Sequence, residues 1–167
     1  MIALDIHGPP NEVLPVSFED MVFAIVVDPS IHLWAMLEYY GAAKPGCFYL
    51  RHWTYDQLTT ELERHDLVVM TSEELRATAV ATFDIYDVLV VGLGSGGHQH
   101  LYRGRDPWER FWFLTRHYPV VAECVDSGFW RVGIADDSMA EQFQKVIAAI
   151  PGTLIEHLEP SSSRSLL

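Results

Sequence analysis

The sequence predicts an α/β fold: one domain with a mixed sheet, strands and helices alternating, and an antiparallel hairpin near the C-terminal end. Three observations carry this. The apolar runs are short and rich in β-branched residues, as strands are. Between them lie polar stretches opened by helix-capping residues, so strand and helix take turns along the chain. At 167 residues with 49% hydrophobic and 20% charged side chains, the chain suits a single core, here residues 1–159 with a flexible C-terminal tail at 160–167.

The elements follow in order. Residues 2–6 form a short strand in an extended, proline-rich lead-in. Residues 21–27 are continuously apolar with several β-branched side chains, the pattern of a strand buried on both faces. Asp28 and Pro29 then open a helix that carries Ile31, Leu33, Trp34, Met36, Leu37, Tyr39 and Tyr40, is apolar nearly all round, and stops at Gly41. Residues 47–50 read as the next strand, with Cys47 inside it as a reduced core thiol. Thr54 and Gln57 make a capping box for a helix to His65, and Thr71 and Glu74 make a second for a helix to about Phe83. Residues 67–70 and 88–91 are strands. Asp106 and Pro107 start a helix striped with Trp108, Phe111, Trp112 and Leu114. Residues 120–125, with Cys124 as the second core thiol, and 129–134 form a hairpin around Asp126-Ser127-Gly128. A last helix, capped by Asp136 or Asp137 and ended by Pro151-Gly152, leads to a strand at 153–158.

Charge is segregated. The net charge is −12. Residues 54–87 hold eight acids against Arg64 and Arg76, while residues 98–118 hold four arginines against Asp106 and Glu109. A field of this sign repels nucleic acid and anionic membrane and attracts a basic protein. The carboxylates expected to meet such a partner are Glu61, Glu63, Asp66, Glu73 and Glu74. Arg110, Phe113, Arg116 and Tyr118, partly off the apolar stripe of their helix, are expected to anchor the contact, since arginine and aromatics dominate interface energetics. Two cysteines make no disulfide framework, the N-terminus has no secretory pattern, and no run approaches the length of a membrane span. A cytoplasmic protein is expected.

Gly92, Gly94, Ser95, Gly96 and Gly97 follow an apolar strand and match GxGxxG, which lets backbone N–H groups approach a phosphate or ribose. The stretch resembles the first motif of class I methyltransferases, which implies S-adenosylmethionine as ligand. Val90 and Val91 stand where that family carries an acid, and only 70 residues follow Gly97. His98 and His100 would share one face of an extended segment and could ligate a metal with a third partner. The pair resembles the HxH of cupins, although Gly104 and Arg105 stand where that family's glutamate would be.

The leading expectation is therefore a non-catalytic, immunity- or inhibitor-like domain that docks on and neutralises or regulates a basic partner protein and needs no cofactor. The alternatives are an enzyme or sensor holding a nucleotide or adenosyl group at residues 92–97, and a metal-dependent enzyme using His98 and His100. Homodimer formation is open.

Overall fold

The computed structural model describes residues 1–47, 49, 52–97, 101 and 106–159. Among these, seven strands and five helices alternate: β1 (Ile2–His7), α1 (Phe18–Ile25), β2 (Leu33–Ala43), α2 (Tyr55–His65), β3 (Val68–Thr71), α3 (Ser72–Ala81), β4 (Thr82–Gly92), α4 (Pro107–His117), β5 (Val120–Val125), β6 (Phe129–Ile134), α5 (Asp137–Ala148) and β7 (Leu154–His157). The strands make one sheet in the order β3-β2-β4-β5-β6-β1-β7. The antiparallel pairing expected of the β5–β6 hairpin extends to every neighbouring pair.

Alternation along the strands sorts two cores. In β4, Val88 and Val90 face a large core with residues of α1, α2, α3 and α5, whereas Leu89 and Val91 face a smaller core with Phe111, Trp112 and Leu114 of α4. Period-two pointing of side chains makes this two-sided burial possible. Four helices thus cover one face of the sheet and α4 the other.

Two adjacent elements exchange type relative to expectation. Residues 21–27, read as a strand, lie mostly in α1. Ser17 accepts from the Asp20 N–H at 3.1 Å while Asp20 accepts from the Ser17 N–H at 3.0 Å, a capping box that starts the helix one turn before the apolar run. Residues 28–40, read as a helix, hold β2 instead. Asp28 accepts from the Ser30 N–H at 2.8 Å, so its carboxylate closes a local turn rather than capping a helix. Trp34 and Met36 then enter the large core and Ala35 the small one, so the stretch that looked apolar all round a helix is a strand apolar on both faces.

The strand expected at 47–50 is absent at its described positions. Cys47 is exposed, its N–H bonds the Lys44 carbonyl in a turn, and only Cys124 is a core thiol. The tail from residue 160 lies outside the described residues.

Candidate functional site: an acidic aromatic ridge

The outer half of β2 sets the geometry. β3 pairs only with Leu33 to Met36, so the rest of this sheet edge is flanked by α2. Along α2, Tyr55, Thr59, Leu62 and Glu63 fall on one face, spaced so that they lie above one another. With Glu38, Tyr39 and Tyr40 of β2 and Asp87 of β4 they line a cleft of about 620 Å³. On the opposite flank of α2, Trp53, Asp56, Gln57, Thr60, Glu61 and Arg64 line a second cleft of about 350 Å³. The helix therefore stands as a ridge between two acid-bearing hollows.

The inner cleft is built rigidly at its base. Tyr39 is 7% exposed, and its hydroxyl lies 3.0 Å from that of Tyr49 and 2.8 Å from Thr82 Oγ1. Burial pushes the Tyr39 and Tyr49 hydroxyls above the ordinary tyrosine range, which keeps both neutral. Tyr55 is raised by burial and then by the neighbouring Tyr40. At the mouth, Tyr40 is 59% exposed and its ring centroid lies 5.2 Å from that of Tyr86.

Glu38 joins this cleft to a line of buried charge. Through strand register, Glu38 stands beside Leu89, Leu89 beside Glu123, Glu123 beside Arg131, Arg131 beside Asp5, and Asp5 beside Glu156. One lateral row thus crosses six strands on the α4 face. Arg110 of α4 bridges over Leu89, pairing with both oxygens of Glu38 and with Glu123 Oε1 at 2.7 Å. Arg131 donates to Asp5 at 3.0 Å and lies under Trp108, 4.7 Å from the ring centroid, with Phe129 at 5.0 Å. Burial raises the Glu123 carboxyl, opposed by Arg110 and then Arg131. Arg110 itself stays charged, so any proton exchange in the pair belongs to Glu123.

The expected partner-binding residues divide accordingly. Glu61, Glu63 and Asp66 all belong to the α2 ridge: Glu61 pairs with Arg64 and His65, Glu63 lines the inner cleft, and Asp66 is the left-handed C-cap. Glu73 and Glu74 sit in the first turn of α3, where Glu74 completes its capping box. Of the anchors expected on α4, only Arg116 is exposed. Tyr118 is a core residue, 4% exposed, Phe113 packs on the small core and stacks on His117, and Arg110 is turned inward to Glu38 and Glu123.

The glycine stretch is a tight corner. Gly92 ends β4, where a Cβ would come within 2.8 Å of Ile31 Cγ2. Gly94 to Gly96, with Ser95 exposed between them, form one 3₁₀ turn, and Gly94 and Gly97 have φ of +54° and +63°. The next helix, α4, begins only at Pro107, so no described helix N-terminus opens directly from the glycines toward a ligand. His98 and His100 lie outside the described residues.

Reading the sequence missed Glu38 and Tyr40, because residues 28–40 were assigned to a helix, and Tyr55 and Asp87, which join them only through tertiary packing. It also missed the charged row. A signal was present: Asp5, Glu123 and Arg131 each interrupt an otherwise apolar strand, and isolated buried charges require partners. Comparison with protein-family models, curated proteins and solved structures gives no match.

Proposed function

We propose that the protein is a non-catalytic binding domain that docks on and neutralises or regulates a basic partner protein, in the manner of an immunity protein or inhibitor. The α2 ridge carries the reading. Asp56, Glu61, Glu63 and Asp66 project from one eleven-residue helix and its C-cap, Glu38 and Asp87 face it across the inner cleft, and tyrosine and tryptophan rings lie between. Concave acidic surface with embedded aromatics supplies both the field that steers a cationic protein and the anchors that hold it. A cytoplasmic setting fits the two free thiols, Cys47 and Cys124.

The test compares the wild-type chain with a neutralised ridge, Glu61→Gln with Glu63→Gln and Asp66→Asn, in pull-downs at low salt. A basic protein should be retained by the wild type, lost by the triple variant, and released above roughly 0.5 M salt, where screening shortens to a few ångströms. Retention that ignores both salt and the variant would refute the reading.

A further inference from the structure

We propose that the inner cleft receives the side chain of a single arginine from the partner, an inference that rests on the docking reading above and specifies its anchor. Three carboxylates, Glu38, Glu63 and Asp87, line this cleft, and no Lys or Arg is among its described lining residues, Arg110 reaching Glu38 from α4. Its volume of about 620 Å³ opens broadly to solvent, which gives a side chain presented by a partner surface room to enter. The walls are mixed in a way that suits a long cationic side chain. Leu62 and the Tyr39 ring supply apolar surface for an aliphatic stem, and the carboxylates stand around the cleft for the charged head.

The chemistry favours a guanidinium over an ammonium. Tyr40 and Tyr55 both contribute rings to the cleft, and a planar, weakly hydrated cation stacks on such faces better than a compact, strongly hydrated one. Glu38 already shows the mode of recognition within the fold: it takes the two-pronged fork of Arg110, which fixes its carboxylate in place. Each oxygen keeps a further lone pair for an incoming donor, while Glu63 makes no ion pair with any described residue and is free to close on the head group.

The experiment is an NMR titration of the whole chain with three tripeptides, acetyl-Ala-Xaa-Ala-amide, in which Xaa is arginine, lysine or the neutral isostere citrulline. The arginine peptide should give saturable shifts confined to Tyr40, Tyr55, Thr59 and Glu63. The lysine peptide should bind at least about threefold more weakly, and the citrulline peptide should give no saturable shift. Glu63→Gln with Asp87→Asn should weaken the arginine peptide about fivefold or more, whereas Glu141→Gln, exposed on α5, should leave it unchanged; the amide spectrum of each variant reports that it is folded. Shifts that do not saturate, that scatter over the acidic surface, or that citrulline reproduces would overturn the anchor. If they do so while the ridge still captures a basic protein in a salt-sensitive way, the anchor falls and the docking reading stands. If the arginine peptide seats in the cleft but no basic protein depends on the ridge, the docking reading falls instead.

Discussion

Cys47 and Cys124 show how burial alone separates two identical side chains. Cys47 is exposed in a turn, while Cys124 is 2% exposed in β5, where burial and then Asp87 push its thiol up to about 12. The native protein should therefore release one equivalent of chromophore from a disulfide reagent at pH 8, from Cys47, and a second only after unfolding. Cys124 holds its proton more tightly folded than unfolded, so its contribution to stability is complete below the unfolded value near 8.5 and is lost as pH climbs to about 12. Urea unfolding at stepped pH should show stability falling across that window, and Cys124→Ala should flatten the slope by up to about 1.4 kcal/mol per pH unit. An unchanged slope would mean that the thiol titrates alike in both states.

At the level of the element, the exchange of α1 and β2 turns on caps. Residues 21–27 carry enough β-branched side chains to pass for a strand, and the helix over 18–25 is decided by Ser17 and Asp20 closing its first turn. Ser17→Ala should cost about 1 kcal/mol in urea denaturation, in the 0.5–2 kcal/mol range typical of a lost N-cap; no change would show that packing alone holds α1. The capping boxes at Thr54 and Thr71 were legible because each precedes a polar, helix-forming stretch. The box at Ser17 was not, since it uses aspartate and leads into an apolar run. Misassignment of residues 28–40 then hid three of the eight residues that line the inner cleft, because Glu38 and Tyr40 share a face only in a strand.

Across the whole molecule, the charged row ties together what the hairpins and helices leave separate. Glu38, Glu123, Arg131, Asp5 and Glu156 lie on five different strands, and Arg110 fastens α4 over the gap at Leu89. Glu123 is 3% exposed and faces both arginines. Its removal leaves them with too few counter-charges in a poorly solvated place. Glu123→Ala should therefore cost about 3–5 kcal/mol, a large share of the stability of an ordinary domain, read as a drop in the urea midpoint. A loss under about 0.5 kcal/mol would show that the row contributes nothing to holding the sheet together. The same row fixes Glu38 at the inner cleft, so the acidic ridge rests on an internally compensated base.

The sequence by itself determined the alternation of strands and helices, six of the seven strands in outline, four of the five helices, the β5–β6 hairpin and the concentration of acids between residues 54 and 87. These are local properties: hydrophobic period, caps and turn residues act within a few positions of themselves. Only the tertiary structure decided that β2 is a strand, that its outer half faces α2, and that Glu38 and Asp87 meet Glu63 across a cleft lined with tyrosines. It also decided that Arg110 and Tyr118 turn inward. Those outcomes depend on strand order and register, which bring together residues far apart in the chain and which no local pattern encodes.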